Sequence, residues 1–291
     1  MGMETKHITR GAMATALYAI LLLLNQQTAL TIELSAPWLF AFPILIYTAM
    51  HGRSISGVVA ISMALMTFLF GSFTTWFYSW MAILSGFIYG WGLYHQWPHM
   101  RNFLITFIIS VIGNAMIIYL WAGLFGYDLA RDFQWLIENA PWIRMETLVL
   151  LFVLISGMLQ ALPIHLVALR VCMSLKIPIA RLHSPVEMSS PRWFGFLSLA
   201  IGILFILSQN MVNLNEGVRV VLQVLFLVDL ILLDYFGVIY FLSLCIYNKQ
   251  RKRIPFSIIG AWIPLLQWIW IISGLLDCLL QIRKNYVFMR D

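Results

Sequence analysis

Charge is what this chain has least of. Only 10% of its 291 residues are Asp, Glu, Lys or Arg, against 62% hydrophobic. Soluble domains carry about 25% charged residues, so an ordinary soluble fold is excluded. Cysteine is equally sparse. Cys172, Cys245 and Cys278 form an odd set with no CxxC pair, each in or beside an apolar block. That pattern reads as small core residues and not as a disulfide framework or a thiolate metal site. The chain has no G-x-x-x-x-G-K-[ST], so it cannot energise anything through a P-loop of its own, and no HExxH or GxSxG marks a hydrolase. His95 and His99 in "HQWPH" are four apart, but Pro98 interrupts the helix that would align them on a metal. The expectation is a protein without metal or cofactor, and not an enzyme.

What the chain has is long apolar runs. A membrane crossing needs about 20 largely apolar residues, and runs of that kind predict helices at 9–25, 36–50, 55–71, 74–94, 102–125, 147–171, 193–211, 218–246 and 256–282. The fold class expected is all-α, a polytopic transmembrane bundle of about 8–10 spans. No A-x-A-like cleavage site follows the first run, so it reads as a retained first helix. Pro43 predicts a tilted or broken second helix. Pro264 and Gly274 predict that the last block is a hairpin of two short helices, returning the C-terminus to the side it came from. Between helices five and six, Leu129, Phe133, Leu136 and Ile137 recur at amphipathic spacing, predicting a short surface helix. The proline-bearing stretch 176–192 divides a six-helix unit, 1–175, from C-terminal helices, 193–291.

The net charge of +6 is distributed as topology signals are and does not point to nucleic acid. With the N-terminus in the cytoplasm, Lys6, Arg10, Arg53, Arg101, Arg170, Lys176, Arg181, Arg192 and the cluster Lys249, Arg251, Lys252 and Arg253 all fall inside. Only Arg131, Arg144 and Arg219 fall outside before the last block. The basic cluster in "YNKQRKR" has two readings, contact with anionic lipid headgroups or with a partner chain.

Ionisable groups within the apolar runs are costly unless paired or hydrated. Asp229 and Asp234 lie about 140° apart around one helix and so make no carboxylate pair by themselves. Asp277 has Arg283 and Lys284 within reach along the chain. These acids read either as polar links between helices or as a proton or cation relay. At the opposite ends of the first helices, Asn25, Gln26, Gln27 and Glu33 offer hydrogen-bonding groups, and Trp76, Tyr78 and Trp80 offer aromatic faces. Asn114, Tyr119 and Gln160 can join them around a small-molecule pocket. The alternative for the aromatic residues is an interfacial belt.

The first helix, "RGAMATALYAILLLL", has Ala12 and Ala16 four apart with Ala19 extending the row. With the short Pro43 helix, "HGRSISG" and "LSGFIYGWGLY", it resembles substrate-binding S components of energy-coupling-factor transporters over residues 6–175. Residues 176–291 resemble the C-terminal portion of YybS-like bacterial membrane proteins, with Gly274, Asp277, Arg283 and Lys284 carrying the pattern, and taken whole the chain resembles that family, with an S-component-like core and extra helices. The S-component likeness implies that Ala12 and Ala16, with Ala19, dock on a membrane-embedded T component. ATPase subunits would be separate chains, and the ligand would be vitamin-like. The YybS-like family implies no particular substrate, and the added C-terminal helices would restrict the toppling movement ascribed to S components. Two functional classes follow: a solute-binding transport component, or a membrane scaffold recruiting partners through its basic and proline-bearing segments. An intramembrane enzyme using Asp229 and Asp234 is a third, for which no neighbouring residues complete a catalytic set.

Overall fold

The computed structural model describes residues 2–126, 129–139, 143–180, 191–210, 215–261 and 263–284. Among them there are no strands. The helices are α1 (Gly2–Gln27), α2 (Thr31–Ser35), α3 (Phe42–His51), α4 (Arg53–Phe70), α5 (Phe73–Tyr94), α6 (His99–Phe125), α7 (Leu129–Asn139), α8 (Met145–Ser174), α9 (Arg192–Asn210), α10 (Glu216–Tyr247), α11 (Ile254–Gly260) and α12 (Pro264–Leu280). A 3-10 turn, Pro37–Ala41, leads into α3. Among the described residues, α1 from His7, α4, α6, α8, α9 and α10 are each long and apolar enough to cross a membrane.

The chain forms two compact units. Met1–Asp132 with Leu151–Leu182 makes the first, and Phe133–Leu150 with His183–Asp291 makes the second. The amphipathic α7 forms where the spacing predicted it, and the second helix is broken by the 3-10 turn as Pro43 indicated. The last apolar block is also divided: α11 stops at Gly260 and α12 begins at Pro264, whose missing N–H is harmless in a first helical turn. Asp128 and most of the 176–192 connection lie outside the described residues.

In the first unit, α1 buries Gly11, Ala14, Tyr18, Leu22 and Asn25, at steps of three and four, against α3 and α4. The Tyr18 hydroxyl is 2.8 Å from Thr67 Oγ1 of α4. Helix α5 is the centre of this unit. Its Gly86 and Gly90, four apart, lie against the backbone of Ala41 and of Leu45, so any side chain there would push α3 away. Close backbone approach of this kind replaces the hydrophobic driving force that lipid does not supply.

The second unit uses the same device. Gly237 of α10 meets the Trp270 backbone, and Gly274 of α12 meets Leu233 O and Gly237 N. Phe194, Leu233, Ile271 and Cys278 close the core of α9, α10 and α12. Because the helices are antiparallel, one turn beyond the Leu233–Gly274 contact places Asp229 of α10 and Asp277 of α12 at a similar level. Gly195 of α9 packs on Cys278 and Leu279.

Candidate functional site

A single carboxylate organises one end of the first unit. After α1 the chain reverses through Ala29 and Leu30, which take left-handed backbone angles (φ 51° and 63°). Such angles cost a non-glycine residue roughly 1–2 kcal/mol each. The reversal carries Glu33 back onto Asn25, and both are buried. Asn25 Nδ2 donates to Glu33 Oε2 at 2.9 Å, and Glu33 N donates to Asn25 Oδ1 at 3.0 Å.

The first turn of α5 supplies the other donors. Thr74 Oγ1 donates to Glu33 Oε1 at 2.8 Å, and Thr75 Oγ1 donates to Oε2. Ser72 caps α5, accepting from Thr75 N at 3.3 Å, and its hydroxyl lies 2.9 and 2.7 Å from those of Thr74 and Thr75. Among the described residues, every side-chain bond to this carboxyl group comes from a neutral donor. Hydrogen bonds to a charged group are each worth about 1.5–3 kcal/mol, which is how an acid that is 3% exposed is kept in place.

Thr74 also lies on a shallow surface groove between α5 and α6, with no enclosed space for even a water molecule, lined besides by Phe73, Phe77, Leu120, Trp121, Leu124 and Phe125. Phe73 contacts Trp76, Phe77 and Phe125 edge-on, with ring centroids 5.4, 5.2 and 6.3 Å apart. The Trp76 Nε1 proton is buried and has no acceptor.

The residues singled out from sequence are only partly brought together. Asn25 and Glu33 meet as described. Tyr78 is half-buried on α5, like Trp76. Gln26 and Gln27 are exposed and take no part in the network. Tyr119 is 79% exposed and points outward from α6, so it does not line a cavity with the others. Asn114 Nδ2 and Gln160 Oε1 bond each other at 3.1 Å and join α6 to α8. Ala12 and Ala16 are exposed and Ala19 is half-buried, so the alanine row is not the face that α1 packs within the bundle. That face is carried by Gly11, Ala14 and Tyr18.

Sequence reasoning missed the hydroxyls. Nothing local in "GSFTT" shows that Thr74 and Thr75 turn toward an acid about forty residues earlier. Tyr89 was missed for the same reason; its hydroxyl is 2.8 Å from His165 Nδ1.

The intramembrane acids have separate fates. Asp229 accepts from Ser198 Oγ at 2.7 Å, joining α10 to α9. Asp234 is half-buried, with Oδ1 unbonded. Asp277 pairs with Arg283 at 2.6 Å. At the turn after α10, Lys249, Lys252 and Arg253 are exposed, whereas the Arg251 side chain lies outside the described ones. His95 ends α5, and His99 Nε2 lies 2.8 Å from Ala180 O.

Long apolar helices and outward apolar faces define a multi-pass integral membrane protein. Residues 16–141 match the family described as "Predicted membrane protein (DUF2232)", which is the YybS-like family. The match runs from within α1 to the end of α7 and includes Glu33, Thr74 and the groove. No curated protein and no solved structure matches the chain.

Proposed function

We propose that the first unit binds a small organic solute at the Glu33 end and serves as the capture component of a transporter whose ATPase is a separate chain. The observation that carries this reading is Thr74, which bonds the buried Glu33 carboxylate and also forms part of the wall of the aromatic groove. Apolar walls beside a few fixed polar groups are what small-molecule sites have in common. Two left-handed residues holding Glu33 in place add to it, since strained backbone concentrates where geometry has to be held.

The Lys/Arg bias supports a cytoplasmic N-terminus, which turns the Glu33 end outward. The exposed Ala12 and Ala16 support docking of α1 on a membrane-embedded T component, because small residues four apart let two helices approach closely. Native mass spectrometry of gently solubilised protein tests both parts. A retained solute and co-purified transporter chains uphold the proposal. A chain with neither, found instead with unrelated partners, favours the scaffold reading. That second reading rests on exposed Lys249, Lys252 and Arg253, which form a basic surface for anionic headgroups or partners.

A further inference from the structure

We infer that Arg53, Trp91, Trp97 and Arg101 form a surface site for the phosphate of an anionic phospholipid headgroup. The site lies at the end of the first unit opposite Glu33 and does not rest on the solute-binding reading.

The four side chains make a ladder. Arg53 Cζ sits 5.3 Å from the centroid of the Trp91 ring, and Arg101 Cζ sits 4.0 Å from that of Trp97. The two indoles are 5.3 Å apart between centroids. Both arginines are exposed and both tryptophans are half-buried. The local chain explains why they meet. Gln96 takes a left-handed angle (φ 52°) just after α5, and Trp97 N donates to Gly92 O at 2.9 Å. That bond folds Trp97 back over the helix end, where a β-carbon on Gly92 would strike both Trp97 and Asn102. Arg101 then reaches Trp97 from the first turn of α6, and Arg53 reaches Trp91 from the start of α4.

Stacking leaves these arginines with their donors free. A guanidinium over an aromatic ring uses its face, while its N–H groups lie in the plane as a fork that matches phosphate. Among the described residues neither Arg53 nor Arg101 has an ion pair or a side-chain hydrogen bond. The sequence offers no countercharge in the helices concerned, since no Asp or Glu occurs between Glu33 and Asp128. A topology signal asks only that basic residues stay on one side of the membrane. It does not ask that two of them be fixed on a pair of indoles.

Position selects a lipid over a dissolved anion. Trp91 lies sixteen residues beyond Thr75 on α5, about 24 Å along the axis, against about 30 Å for a hydrocarbon core. With Glu33 near one interface, the ladder reaches the other, at the headgroup level where tryptophan rings settle. The Lys/Arg bias supports the cytoplasmic side for this end, facing the leaflet that carries anionic lipid. Farther along α4 and α6, Val58 and Leu104 are exposed and offer apolar cover for acyl chains.

The test places the full-length protein in nanodiscs of phosphatidylcholine with a minor share of phosphatidylglycerol. Retained lipids are counted by native mass spectrometry after gentle extraction. The expected result is selective retention of phosphatidylglycerol. Arg53→Gln combined with Arg101→Gln lowers that retention at least about tenfold, because each basic residue at an anionic surface contributes roughly fivefold. Arg53→Lys with Arg101→Lys keeps the charge but loses the stacked fork, and falls between the parent and the Gln pair. Lys249→Gln with Lys252→Gln removes the same charge from the second unit and causes a much smaller loss. Melting temperatures in phosphatidylcholine alone match the parent for all three; if the Gln pair melts early, the Lys pair decides. Unchanged retention in the Gln pair, full retention in the Lys pair, or an equal loss in the second-unit variant overturns the site. Displacement of the lipid by excess inorganic phosphate, without preference for phosphatidylglycerol, overturns the lipid assignment.

Discussion

Arg283 holds Asp277 twice, through Nε to Oδ2 at 2.6 Å and through its backbone N to Oδ1 at 3.0 Å. The pair is buried at the end of α12, with the arginine side chain 7% and the aspartate 0% exposed. It fixes the segment after Gln281, whose left-handed angle (φ 50°) turns the chain out of the helix. Nη1 and Nη2 of Arg283 are buried without an acceptor, so desolvation of the guanidinium is only partly offset.

That arrangement predicts a strong asymmetry. Arg283→Met alone removes the charged partner of a buried carboxylate, which keeps its backbone bond, and should cost roughly 3–5 kcal/mol. Combining it with Asp277→Leu should restore most of the loss, because an apolar pair of similar size pays no desolvation. Thermal unfolding of the purified variants in one detergent decides the matter. If the double variant melts no higher than the single one, the ion pair is not what holds the end of α12.

The path from sequence to structure was clear wherever a signal was local. Helix positions follow from apolar length, Pro43 and Pro264 mark the breaks, and the spacing of Leu129, Phe133, Leu136 and Ile137 gives α7. The Asp277–Arg283 contact was also within reach, since six residues separate the partners. Contacts between helices were not legible. A run that is apolar all round gives little indication of which face meets protein and which meets lipid, so Tyr119 was placed in a cavity although it points outward. Glu33 could be named as a polar group at a helix mouth. Its pairing with Thr74 and Thr75 depends on how α2 and α5 converge, and no spacing within either segment encodes that.

The helix contact at Gly274 predicts a second asymmetry. A β-carbon there would collide with Leu233 O, and backbone cannot swing aside as a side chain can. Gly274→Ala should therefore force α12 off α10 and cost about 1–3 kcal/mol. Gly202 of α9 has nothing within 4 Å of the same position. Gly202→Ala should be neutral or stabilising by up to about 1 kcal/mol through helix propensity alone. Melting temperatures moving the same way in both variants would contradict the packing described for α10 and α12.

Asp229 and Asp234 should also part company. Ser198→Ala removes the 2.7 Å bond to Asp229 and should cost about 1–3 kcal/mol, the penalty for leaving a buried acceptor short of a donor. Asp234→Asn, at a half-buried site with no bond to Oδ1, should change stability by less than about 0.5 kcal/mol. If Asp234→Asn instead abolishes a transport signal while the melting temperature is unchanged, the relay reading of these acids gains over their role as links between helices.

The alanine row on α1 gives the most direct separation of folding from docking. Ala14 is 9% exposed and packs within the first unit, so Ala14→Trp inserts a large ring into a filled interface and should destabilise by about 1–3 kcal/mol or more. Ala12 lies two residues earlier on the exposed side, beside Met13 and in line with Ala16. Ala12→Trp should leave the melting temperature within about 1 °C of the parent, a shift well below that of 1 kcal/mol. If α1 docks on a T component through this face, the same variant should lose its co-purifying partner while any solute bound at Glu33 is retained. The two measurements are independent. Loss of stability in Ala12→Trp would show that the row packs inside the bundle after all. Unchanged stability with unchanged partner association would leave the face to lipid and remove docking through Ala12 and Ala16.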